Sequence, residues 1–200
     1  MSERPWLYVV AGPNGAGKST LAQMLLPVFP VVNPDDIART INPQAPEASA
    51  FTAGREALKH VRDHLDARRS FGVETTLAGR WIFRVMRQAG LSGFRVMVLY
   101  VGIAPENLAI RRVAERARSG GHNVPVEDIR RRYRISLAHL AEAVASANQA
   151  VLYDNSAGPE IGPRVFAEVE EGVFVALETD RPPWFSIALG GTGIGMNLRS

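Results

Sequence analysis

The residues able to do chemistry fall in four clusters along the 200-residue chain. The first, GPNGAGKST from Gly12 to Thr20, has the spacing G-x-x-x-x-G-K-[ST]. Glycines let a backbone turn tightly and aim several N–H groups at one point. A helix N-terminus directly behind them adds partial positive charge. Gly12, Pro13, Asn14, Gly15, Ala16, Gly17, Lys18, Ser19 and Thr20 are therefore expected to hold ATP. Lys18 would lie on the β- and γ-phosphates and the Ser19 hydroxyl on Mg²⁺. Pro13 has no N–H and must stand where the loop needs no donor. In the second cluster, VVNPDDIAR, a carboxylate can take the proton of a hydroxyl that attacks the γ-phosphate. Helix capping also favours aspartate there. Both roles are assigned, Asp35 as base and Asp36 in the first helical turn beside the substrate.

The third cluster, FGVETTLAG, brings Glu74, Thr75 and Thr76. Glu74 either accepts hydrogen bonds from a polyol or sugar or anchors the waters of Mg²⁺. Thr75 and Thr76 can donate to or accept from the same ligand. The fourth is arginine-rich. Of 21 arginines and two lysines, eight arginines fall between Arg111 and Arg134. Arg112 and Arg116 are four apart and share a helix face, while Arg131 or Arg132 returns from a second helix. Arginines closed over a transferring phosphoryl group are worth ~10³–10⁵ in rate. Arg111, Arg118, Arg130 and Arg134 read as solvated. His122, in GGHNVP, either touches phosphate or fills a turn.

Elements must place these clusters together. RPWLYVVA reads as a buried strand ahead of the loop, and STLAQMLL as a helix ending near Pro27. Val31 and Val32 form a second strand that breaks at Asn33-Pro34. The third strand ends at Glu74–Thr76. Ligands of open α/β sheets bind beyond the carboxyl ends of strands, which is where the carboxylates fall. Pro105 suits a helix start and Gly120-Gly121 a stop, giving a helix–loop–helix lid at about 105–135. LAHLAEAVASANQ reads as a further amphipathic helix and AVLYDNS as a last parallel strand. Asp154-Asn155-Ser156 at its end is taken as a simple turn rather than as a wall for adenine. RVFAEVEEGVFVALETD reads as a hairpin turned at Glu171-Gly172, and the glycine-rich tail after Pro182-Pro183 as mobile. His60 and His64 have metal-ligand spacing but no third ligand, so a surface helix is expected.

The formal net charge of +3, 46% hydrophobic content and absence of cysteine describe a globular chain without disulfides or thiolate metal sites. With no long apolar run and no leader in MSERPWLYVV, a cytoplasmic enzyme without a membrane partner is expected. A transporter ATPase would carry an LSGGQ signature and an Asp-Glu pair after a strand. LSGF runs instead into FRVMVLYVG, which ends without that pair. No Asn-Lys-x-Asp segment exists to read guanine.

GPNGAGKST, VNPDDIAR, ETTLAG and RVAERARSGGHNVPVEDIRRRYRISL, in this order, resemble the zeta-toxin family of P-loop kinases over about residues 5–155. The resemblance implies a three-layer α/β P-loop kinase fold, parallel strand order 2-3-1-4-5, a helical lid and a C-terminal β-hairpin, in one domain of residues 1–200. It implies ATP- and Mg²⁺-dependent phosphorylation of the 3′-hydroxyl of UDP-N-acetylglucosamine. Asp35 matches the family's base, Glu74 and Thr76 its sugar-nucleotide contacts, and Arg116 with Arg131 or Arg132 its lid arginines. An antitoxin protein is the partner it suggests. The chain departs from the family in reading Asn33-Pro34-Asp35-Asp36 where Asp-x-Asp is usual, and in being shorter, and both bear on the acceptor. The alternatives are a kinase for another polyol, an antibiotic or a nucleic-acid end, and a non-catalytic NTP-dependent regulator that binds nucleic acid, the less favoured partner.

Overall fold

A computed structural model describes residues 3–121, 124–158 and 160–189. Apolar and β-branched runs become seven strands: β1 Trp6–Ala11, β2 Val31–Val32, β3 Phe71–Thr75, β4 Arg95–Gly102, β5 Gln149–Asp154, β6 Arg164–Glu170 and β7 Val173–Leu177. They form one sheet in the order β2-β3-β1-β4-β5-β6-β7. The first five are parallel and the last two antiparallel. The expected parallel order and added hairpin are thus both present. β1 and β4 alternate at their starts and are then buried at every position, as strands covered on both faces require. The β6–β7 turn falls on Glu171 and Gly172, whose φ angles of 47° and 78° suit a two-residue hairpin.

The helices are α1 Lys18–Leu25, α2 Pro34–Ile41, α3 Ala50–Asp66, α4 Trp81–Leu91, α5 Glu106–Arg118, α6 Val126–Ala145 and α7 Pro183–Leu189. The lid stretch is α5, a turn and the first half of α6. The second lid helix and the amphipathic helix expected after it are one 20-residue helix. Its buried Ile129, Tyr133, Leu137, Leu140 and Val144 recur three or four residues apart, so a single face binds the core throughout. The Tyr133 hydroxyl donates to the Ile103 carbonyl at 2.8 Å, pinning α6 to the end of β4.

Two expectations are corrected. The chain after Pro182 is not loose at its start: α7 buries Trp184, Phe185 and Ala188. Trp184 packs edge-on to Phe166, with ring centroids 5.2 Å apart, and covers Gly102, where an added Cβ would lie 2.0 Å from the indole. Pro183 opens this helix, and the aromatic pair outweighs the glycines downstream. The glycine-rich stretch 190–200 lies outside the described residues. His64 is also not a surface residue. It is half-buried and stacks on Phe71 at 4.9 Å, while His60 pairs with Glu56.

Gly102→Ala should therefore destabilise the protein by about 3 kcal/mol, read by urea unfolding, because the Cβ must displace Trp184. Burial first, then Arg69 and His60, push the His64 imidazole below its ordinary 6.5, against Asp63. The unfolded chain then binds the proton more readily. Stability is complete above pH 6.5 and falls as the pH drops below it. His64→Leu should flatten that acid limb in urea titrations at pH about 7 and about 5.

Candidate functional site

The phosphate loop runs from the end of β1 into α1. Gly12, Gly15 and Gly17 take φ angles of 142°, 76° and 96°. At Gly15 a Cβ would lie 2.7 Å from the Ala109 carbonyl, so only glycine lets α5 cross this closely over the loop. Lys18, the first residue of α1, is 8% exposed and donates from Nζ to the Pro13 carbonyl at 3.0 Å. Pro13 thus contributes an acceptor where it has no donor to give. Burial lowers the Lys18 ammonium below the ordinary lysine range. Glu74 and then Asp35 pull it back up, and Arg116 and Arg132 push it down again. Two carboxylates and two guanidiniums therefore converge on one buried ammonium.

Register explains the carboxylates. β1 and β3 pair in parallel with Val10 beside Glu74 and Ala11 beside Thr75, so β3 ends next to the start of the loop. Glu74 Oε1 accepts from Ser19 Oγ at 3.0 Å. Thr75 lines the cleft, but its Oγ1 accepts from the Leu77 N–H at 3.0 Å. That bond holds a turn in which Leu77 has φ 60° and the His139 ring meets the Leu77 carbonyl at 2.8 Å. On the next strand over, Asn33 caps α2 with its side-chain oxygen on the Asp35 N–H at 3.0 Å. Asparagine does the capping expected of an aspartate.

A cleft of about 310 Å³ joins these pieces. Lys18, Asp35, Glu74, Thr75, Thr76, Arg131 and Arg132 all line it. Asp36 does not. Its carboxylate pairs with Arg39 on the solvent side of α2, because consecutive helical residues point about 100° apart. Arg112 is not in the cleft either. It is half-buried, and its guanidinium is lowered by burial first and then by Arg111, against Glu115 and Asp154. Arg116, one turn on, is exposed and does not line the cleft either, although its charge acts on Lys18. Arg131 is tied to Asp128 at 2.7 Å, and Arg132 bears on Lys18. His122 lies outside the described residues.

Sequence reasoning missed three groups. Trp81 lines the cleft at the start of α4, and its aromatic type just after ETTLAG was a usable signal. Asn33 also lines it, and its place before Pro34 marks a cap. Asn155 is no simple turn residue. It is 9% exposed, and its Nδ2 donates to the Ala16 carbonyl at 2.8 Å. No local pattern announces that contact.

A family model described as an AAA domain matches residues 7–136, and the chain belongs to that family. It is a P-loop kinase-like domain. An uncharacterized protein of Haemophilus influenzae is 35% identical over 123 residues, which are 61% of this chain and 88% of that protein. Among solved structures, AvrRxo1-ORF1:-ORF2 with ATP gives a TM-score of 0.67 at 16% identity, over 86% of this chain and 60% of the matched one. This chain thus spans about three fifths of that protein's length. The PezAT toxin–antitoxin system of Streptococcus pneumoniae gives 0.59 at 16% identity, over 77% and 70%. A gluconokinase from Sinorhizobium meliloti gives 0.51 at 17%, over 78% and 85%. At these identities the likeness is one of fold. No helix of the described residues is long and apolar enough to cross a membrane.

Thr75→Val should cost about 1–2 kcal/mol in urea unfolding, since it leaves the buried Leu77 N–H without its acceptor.

Proposed function

We propose that the chain is an ATP-dependent phosphotransferase with an alcohol acceptor, and that the acceptor is a sugar nucleotide of the UDP-N-acetylglucosamine kind. The observation that carries the reading is one cleft lined by the buried Lys18, the carboxylates of Asp35 and Glu74 and the guanidinium of Arg132. A hydrolase needs only to orient water. A transferase needs a base, a slot for an alcohol and cations for the departing charge.

The acceptor hydroxyl enters the cleft beside Asp35. Its oxygen bonds to the γ-phosphorus as its proton passes to the Asp35 carboxylate. The bond from that phosphorus to the bridging oxygen breaks, and ADP leaves with the bonding pair. Lys18, Arg116 and Arg132 offset the charge spreading over the transferred group. Glu74 and Thr76 orient the acceptor, and Trp81 offers a flat apolar wall to a ring. Arg131, held by Asp128, borders the acceptor side. Ser19 Oγ and the Glu74 carboxylate, 3.0 Å apart, are hard oxygen donors that fit Mg²⁺, which when bound would neutralise phosphate charge.

The toxin–antitoxin pairing in PezAT supports a protein antitoxin as a partner of this chain, and the ATP in the AvrRxo1-ORF1:-ORF2 structure supports ATP as donor. Use of ATP and a sugar nucleotide would support a cytoplasmic location.

The test is incubation with ATP, Mg²⁺ and a panel of UDP-sugars, polyols and oligonucleotides, read by mass spectrometry. A gain of one phosphate on UDP-N-acetylglucosamine is expected; transfer to another alcohol alone would move the acceptor, and no transfer to any would sink the reading. Asp35→Ala should bind ATP normally and lose at least about a thousandfold in transfer. Ser19→Ala should keep the fold and shift the Mg²⁺ concentration for half-maximal rate upward, measured by titrating the metal at fixed ATP.

A further inference from the structure

A chain of hydrogen bonds leads from α7 to the phosphate loop. Trp184 Nε1 donates to Asp154 Oδ1 at 2.9 Å, and the same oxygen accepts from Ser156 Oγ at 2.6 Å. Ser156 Oγ in turn accepts the Ala104 N–H at 2.9 Å. The end of β5 is thereby tied both to α7 and to the turn before α5. Asn155 sits between these two anchors. Its own N–H donates to the Gly102 carbonyl at 2.9 Å, and Gly102 is the residue that Trp184 covers. Its side chain then reaches back across the sheet, Nδ2 to the Ala16 carbonyl at 2.8 Å.

We infer that Asn155 is a positioning residue for the phosphate loop, and that Trp184 holds it in place through Asp154. The physical reason is the planarity of the peptide bond. In a trans peptide the carbonyl and the following N–H point in opposite directions. Fixing the Ala16 carbonyl on Asn155 therefore turns the Gly17 N–H away from Asn155. Gly17 sits at the N-cap of α1 with φ 96°, a conformation with alternatives open to it. A Cβ at Gly17 would lie 2.6 Å from Asn155 Nδ2, so the Asn155 amide occupies the space that a side chain there would need. Without the Asn155 donor, the Ala16–Gly17 peptide is free to rotate, and an N–H that should meet an anion is lost for part of the time. Asn155 touches no reacting atom in this account. It acts through the backbone of Ala16 and Gly17.

This inference rests on the nucleotide site of the kinase reading but not on the acceptor. It is tested on the full chain with two probes, ATP and inorganic tripolyphosphate, by titration calorimetry without acceptor. Asn155→Ala and Asn155→Asp are expected to weaken both probes by about tenfold, the worth of one buried hydrogen bond. Trp184→Phe keeps an aromatic ring and removes the indole N–H, and should weaken both by a smaller factor in the same direction. In the transfer assay the KM for acceptor, measured at saturating ATP, should stay unchanged, while the KM for ATP, measured at saturating acceptor, rises. A residue that served stability alone would not separate the two. Thermal unfolding checks that each variant is folded; if the Asn155 variants are not, Trp184→Phe decides by the same readout. Folded variants that bind tripolyphosphate as the wild type does would overturn the inference alone. Wild type that binds ATP but phosphorylates no alcohol would overturn the kinase reading alone. Wild type that binds neither probe would overturn both.

Discussion

A lysine with 8% of its surface left to water, Lys18, is the constraint around which this molecule is arranged. Burying an unpaired charge costs several kcal/mol, on the order of what a small domain has to spare. Burial lowers the Lys18 ammonium, and carboxylates at two different strand ends, Glu74 in β3 and Asp35 after β2, act against that lowering. Those carboxylates can reach it only because β2, β3 and β1 are neighbours in the sheet. The strand order is thus an electrostatic requirement as much as a packing one. The Pro13 carbonyl completes the arrangement by accepting from Nζ.

Arginine placement follows from the same charge. Eight arginines in α5 and α6 would repel a lysine if all faced it. Most do not, because the helices bring their own carboxylates. Glu106 receives Arg130 and Arg134, Asp128 holds Arg131, and Glu115 stands near Arg111. Arg116 and Arg132 are the two whose charge bears on Lys18. The repulsion they impose on it is the counterpart of the attraction they would offer a polyphosphate.

Much of this was legible in the chain itself. Apolar and β-branched runs marked the strands, the family resemblance supplied their order, and the loop motif marked Gly12 to Ser19. Asp35 and Glu74 followed from the rule that ligands gather at the carboxyl ends of strands. What could not be read was set by direction and by distance along the chain. Asp36 and Asp35 are adjacent in sequence, yet one helix step turns Asp36 to Arg39. Arg112 and Arg116 share a face of α5, yet only Arg116 bears on Lys18, while Arg112 is half-buried away from the cleft. Asn155 and Ala16 meet across 139 positions, and Trp184 closes over Gly102 from a segment whose downstream composition suggested a loose tail. Local propensity carries no record of such meetings. The choice between Arg131 and Arg132 was half-visible, since Asp128 stands three residues before Arg131 on the same helix face.

The two walls of the cleft differ in what they are made of. One is the phosphate loop, locked into the sheet by carbonyls, glycines without room for a side chain, and a buried asparagine. The other is assembled from the first turn of α2 and the short turn between β3 and α4, where Thr76, Ala78, Gly79 and Trp81 meet the solvent-filled space. Substitutions on this second wall disturb few interior contacts. A lineage carrying this scaffold can therefore vary what this second wall meets by small surface changes, while the phosphate loop stays as it is.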